Sequence, residues 1–134
     1  MYPAAAIGTG SWPAHLRPGA LRWARSSANY DATVAFYGML RTPEGWAGGG
    51  HTIDPIAVAA DMCPTLAIFG SVDPWTPAED IEALRAAWSS RTDCEILMVE
   101  GADHAFVHDP ERPVHRADDA ARCWQAAIDW ITPE

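Results

Sequence analysis

The sequence predicts an α/β fold: three parallel strands flanked by helices. Three observations carry that prediction. Short apolar runs with β-branched and aromatic members recur at Ala32–Tyr37, Thr65–Phe69 and Glu95–Val99. Each is closed by a glycine or by Glu100-Gly101. Such near-continuous runs suit parallel strands covered on both faces better than a one-sided antiparallel sheet. A helix with a clear start lies between the second and third runs, and a helix with an apolar stripe closes the chain.

The first segment, residues 1–29, does not share this pattern. Pro3, Gly8, Gly10, Pro13, Pro18 and Gly19 break it every few residues. Ala20 to Ser26 has room for one or two helical turns, and no strand is expected. The run at Ala32–Tyr37 is the first strand. Residues 41–50, rich in Gly, Pro and Trp, read as a loop, and Pro55 to Ala60 as a short helical turn.

After the second strand, Thr76-Pro77-Ala78-Glu79 places Thr76 at the N-cap, Pro77 at N1 and Glu79 at N3, a capping box. Ile81, Leu84 and Trp88 then share one helix face. Strand, helix and strand make a βαβ unit with a right-handed crossover. The last helix is expected over Arg116–Ile131. Its stripe is Ala117, Ala121, Trp124, Ile128 and Ile131, and Asp118 and Asp119 favour its N-terminal end.

Composition narrows the function classes. With 134 residues, one domain is the expectation. A hydrophobic share of 49% with 20% charged residues argues against a disordered tail. The net charge of −9 argues against nucleic-acid binding. No apolar run approaches the about 20 residues of a membrane span, and no basic stretch precedes a long apolar one, so neither an anchor nor a leader is expected. Three widely spaced cysteines, Cys63, Cys94 and Cys123, fit neither a disulfide framework nor a zinc knuckle; they fit a reducing cytoplasm.

The charge is unevenly spread. Residues 1–29 hold Arg17, Arg22 and Arg25 and no acid, whereas residues 30–134 hold all 18 acids against six Arg. Two segments follow from this: an atypical N-terminal piece over 1–29 and an α/β portion over 30–134.

Two motifs fall just past strand C-termini, where α/β proteins keep their sites. Asp73, in Gly70-Ser71-Val72-Asp73-Pro74-Trp75, follows the second strand. His104, in Gly101-Ala102-Asp103-His104-Ala105-Phe106, follows the third. Adjacent parallel strands can bring the two loops together. An aspartate there accepts the imidazole N–H, fixes its tautomer and stabilises the imidazolium formed when the other nitrogen takes a proton. Acid before histidine is also the chain order of α/β-hydrolase triads. The alternative for Asp73 is a turn former, since GSVDPWTP is a good turn sequence by itself. Trp75 and Phe106 flank the pair and suggest an apolar acyl group.

Residues 30–131 resemble the C-terminal half of the dienelactone hydrolase family of the α/β-hydrolase superfamily. The resemblance rests on Ala35-Phe36-Tyr37-Gly38, on Ala67-Ile68-Phe69-Gly70 leading into Asp73-Pro74-Trp75-Thr76-Pro77, and on Gly101-Ala102-Asp103-His104-Ala105-Phe106. Arg112-Pro113 and Ala117-Asp118-Asp119-Ala120-Ala121 extend it. It implies a partial α/β-hydrolase fold lacking the N-terminal half of the sheet, with Asp73 as triad acid and His104 as triad base. It further implies a small ester or lactone substrate, a Ser or Cys nucleophile, and neither cofactor nor metal.

The sequence departs from the family at the nucleophile. No Gly-x-Ser-x-Gly or Gly-x-Cys-x-Gly elbow occurs, and Ser11, followed at +2 by Pro13, is the nearest candidate. Cys63 and Cys94 precede their strands and so belong at the opposite sheet edge, while Cys123 falls within the last helix. His104 and His108 with Asp109 would suggest a metal site only on a helix, and Pro110 and Pro113 favour a loop. Gly48-Gly49-Gly50-His51 reads as a flexible turn. A second reading therefore stands beside the hydrolase: a non-catalytic fragment that keeps the fold and forms a homodimer through an open sheet edge.

Overall fold

The computed structural model describes residues 6–8, 31–42 and 54–132. The three predicted strands form as β2 (Thr33–Phe36), β3 (Thr65–Gly70) and β4 (Cys94–Val99). They pair in parallel, with Ala35 opposite Ala67 and Ala67 opposite Ile96. A short strand β1, Ala6–Gly8, borders β2 in antiparallel register, giving the order β1-β2-β3-β4. No strand was expected in residues 1–29. Three residues are too few for a period to show, and what makes Ala6–Gly8 a strand is pairing with the backbone of Thr33–Ala35.

Alternation along the central strands divides the core in two. Val34, Phe36, Leu66 and Ile68 face helix α2 (Ala117–Ile131), and Ala35, Ala67 and Phe69 face helix α1 (Ala78–Ala87) and a 3₁₀ turn at Pro55–Asp61. Leu40, Met62, Leu84 and Trp88 close the α1 side, where the Trp88 Nε1–H donates to the Ala59 carbonyl at 2.8 Å. β3 is buried along its whole length, whereas β4, at the sheet edge, is buried only at Val99.

Two helix expectations are corrected. α1 begins at Ala78 with Pro77 at the N-cap, and no side chain caps it. Thr76 donates its N–H to the Asp73 carbonyl at 3.3 Å, so its backbone belongs to the preceding turn, and its buried Oγ1 has no partner. The helix therefore starts one residue later than the capping box required. In α2 the buried apolar positions are Ala120, Cys123 and Ala127, with Trp124 and Ile131 packed alongside. Ala117 and Ala121 are exposed, and so is Ile128. Small residues line the contact because the sheet presents bulky Phe36 and Ile68 beneath them; the helix is turned by about one position from its most apolar stripe.

Candidate active site

The site is built where β3 and β4 end. The two loops leaving them are tied to each other before either side chain is considered. Ser71 donates its N–H to the Val99 carbonyl at 3.0 Å and Val72 donates to the Ala102 carbonyl at 3.1 Å. Gly101 returns a bond, its N–H reaching Ser71 Oγ at 2.8 Å. Gly101 has φ +74°, which glycine adopts without a Cβ penalty. Asp73 and His104 are thus set on a rigid double loop rather than on two independent ones.

The pair meets. His104 Nδ1 lies 2.8 Å from Asp73 Oδ2. A carboxylate only accepts, so Nδ1 carries the proton and Nε2 is left as the basic nitrogen. Asp73 Oδ1 accepts the Trp75 N–H at 2.8 Å, which holds the carboxylate from its other side. The Asp73 side chain is fully buried, while that of His104 keeps 16% exposure. The backbone at His104 is fixed as well: its N–H donates to Asp103 Oδ1 at 2.6 Å, and Ala105 follows with φ +63°, an unusual conformation for a residue with a Cβ.

The other predicted residues divide. Trp75 is 40% exposed beside Asp73, but Phe106 is fully buried and belongs to the α2 core, so it does not line the site as expected. Its ring is turned inward because the chain doubles back there, the Arg116 N–H closing on the Phe106 carbonyl at 3.1 Å. Cys63 and Cys94 lie at the start of β3 and β4, the far edge from His104, where Cys63 Sγ meets Thr33 Oγ1 at 3.2 Å. Burial raises the Cys94 thiol and pushes the Cys123 thiol up to about 11, so neither is an activated thiolate. Ser11 and Gly48–His51 lie outside the described residues.

Two residues near His104, Tyr37 and His108, meet each other in a way that the sequence does not foretell. Tyr37, at the end of β2, packs its ring 5.1 Å from that of His104, and its hydroxyl bonds His108 Nδ1. His104 and His108 are thus engaged by different partners. Among the described residues, no group of three or more His, Cys, Asp or Glu is gathered to hold a metal ion. The signal for Tyr37 was available: it precedes Gly38 at a parallel strand's C-terminal end, the same place that singled out Asp73 and His104.

Residues 19–134 match the dienelactone hydrolase family. The chain belongs to that family. A carboxymethylenebutenolidase-type protein of Yersinia pestis is 36% identical over 122 residues, which is 85% of this chain and 43% of that protein. One from Escherichia coli K12 is 31% identical over 117 residues, 84% of this chain and 42% of its own length. A crystal structure of a dienelactone hydrolase-type protein of Klebsiella pneumoniae superposes with a TM-score of 0.75 at 26% identity, covering 86% of this chain and 47% of that one. The chain therefore spans less than half the length of these relatives. The family's α/β-hydrolase architecture agrees with the three parallel strands and flanking helices. Among the described residues no helix is long and apolar enough to cross a membrane.

Proposed function

We propose that this chain carries the acid–base half of a hydrolase acting on small esters or lactones through a nucleophile–His104–Asp73 triad. The observation that supports this most is the 2.8 Å bond between His104 Nδ1 and the fully buried Asp73 carboxylate. Family membership and the names of its relatives support the reaction class.

In this reading His104 Nε2 takes the proton of a serine hydroxyl as the oxygen attacks the substrate carbonyl. The imidazolium so formed is stabilised by Asp73, which stays ionised. His104 then returns the proton to the departing alkoxide, leaving an acyl-enzyme. Water, deprotonated by the same nitrogen, releases the acid and restores the serine. Ser11 is the candidate nucleophile within the sequence. The exposed Trp75 beside Asp73 favours an apolar acyl group.

The test is hydrolysis of p-nitrophenyl acetate by the full chain and by its His104→Ala and Ser11→Ala variants. Turnover abolished by His104→Ala supports the triad. Turnover that survives both substitutions overturns the assignment. Loss with His104→Ala but not with Ser11→Ala keeps the acid–base pair and removes Ser11.

A further inference from the structure

Beyond Asp73, a second contact bears on the His104 ring. Tyr37 closes β2 with its N–H donated to the Ile68 carbonyl at 2.7 Å, and its own φ is +42°. A left-handed conformation is costly for an aromatic residue and persists only where the surroundings impose it. Here it lets the side chain leave the strand towards the loop after β4, where its ring meets those of His104 at 5.1 Å and Phe106 at 5.9 Å. Ala105, the next residue after His104, is the other non-glycine with positive φ among the described residues. The two strained positions thus flank a single imidazole.

Tyr37 is itself pinned. It is almost wholly buried, and burial raises its hydroxyl well above the usual phenol range, so the group stays protonated while it hydrogen-bonds His108 Nδ1. His108 is seated between Phe36, with centroids 4.8 Å apart, and Trp124 at 5.2 Å, and its partial burial lowers its basicity. The contact therefore runs from α2 and β2, through His108 and the Tyr37 hydroxyl, to the His104 ring, which Tyr37 meets in a tilted arrangement at 58°.

We propose that Tyr37 is a positioning residue for His104: pinned by His108, its ring holds the imidazole in the orientation that keeps Nδ1–H on Asp73. This deepens the triad reading above and rests on it only for its consequence in catalysis, since the orientation itself is measurable without substrate.

The experiment compares the wild type with Tyr37→Leu, Tyr37→Phe and His108→Phe by long-range ¹H–¹⁵N correlation of the histidine rings at neutral to mildly alkaline pH, with steady-state kinetics on p-nitrophenyl acetate alongside. The wild type should show His104 fixed as the Nδ1–H tautomer. Tyr37→Leu should give nitrogen shifts averaged between tautomers and lower kcat by roughly ten- to hundredfold with little change in KM. Tyr37→Phe and His108→Phe should each give the same intermediate state. A folded Tyr37→Leu variant with the wild-type His104 signature overturns the proposal. If that variant does not fold, wild-type signatures in both Tyr37→Phe and His108→Phe overturn it instead. If the tautomer shifts as expected while no variant, nor the wild type, turns over ester, the positioning role stands and the triad reading fails.

Discussion

Gly70 and the Ala102 backbone approach each other so closely that Gly70 has no room for a Cβ. A Cβ built on Gly70 would lie 2.6 Å from the Ala102 carbonyl carbon, with the carbonyl oxygen nearer still. The contact exists because Val72 bonds that same carbonyl and Ser71 bonds Val99, which draws the loop after β3 under the loop after β4. Gly70→Ala must push the loops apart and with them Asp73 from His104. Strain of this kind costs about 1–3 kcal/mol. A urea melt should show a lower midpoint at unchanged slope. Ester turnover should fall more than stability alone explains, because a small displacement at a triad is amplified in rate. An unchanged melt and unchanged turnover would show that the loops are not so tightly coupled.

The Asp73 carboxylate separates geometry from electrostatics. Asp73→Asn keeps the size of the group and an oxygen for the Trp75 N–H. Its amide can instead present N–H to His104, which forces the imidazole into the opposite tautomer and leaves Nε2 protonated. In a working triad this substitution lowers kcat by about 10⁴-fold with little structural change. The expected outcome is a near-normal thermal melt with turnover close to background; a variant within tenfold of wild type would mean that Asp73 is only a turn residue.

Much of this was legible in the sequence, for physical reasons that differ by element. β2, β3 and β4 are visible because buried parallel strands need continuous apolar runs, and glycines mark where they stop. Asp73 and His104 are visible because strand ends in α/β folds are where side chains converge. The start of α1 was displaced by one residue because the Asp73 turn takes the Thr76 backbone for itself, a contest between two local motifs that the residues alone do not decide. The buried face of α2 was misjudged because hydrophobicity ranks large side chains first, whereas close approach to Phe36 selects Ala120, Cys123 and Ala127. The Tyr37–His108 pair joins residues 71 positions apart and leaves no local trace.

Cys123 offers a probe of α2 docking. It is buried in the core beneath the helix, and burial pushes its thiol up to about 11. At pH 8 it should react with Ellman's reagent only through unfolding, so its labelling rate should track the opening of the domain and rise steeply with urea. Cys63, half-buried at the start of β3, should label first in native buffer. Equal labelling of both thiols without urea would show that α2 detaches readily.

The N-terminus of α2 carries a charge cluster whose pH dependence has a defined sign. Asp119 bonds Arg122 and lies 2.5 Å from Arg116 Nε, and these two guanidinium groups, Arg122 foremost, hold its carboxyl below the usual aspartate range. A carboxyl whose pKa is lower folded than unfolded adds stability above the unfolded value and loses it as pH falls through the folded one. Both arginines are substantially exposed, so screening keeps the effect small. Asp119→Asn should therefore lower Tm at pH 7 by no more than a few degrees. The gap from wild type should shrink in 1 M salt and should close as pH falls below the ordinary aspartate range, where the wild-type carboxyl is protonated too. Thermal melts from pH 7 down to pH 2 check this directly. A gap that persists unchanged at the acid end would assign the role of Asp119 to packing and helix geometry rather than to its charge.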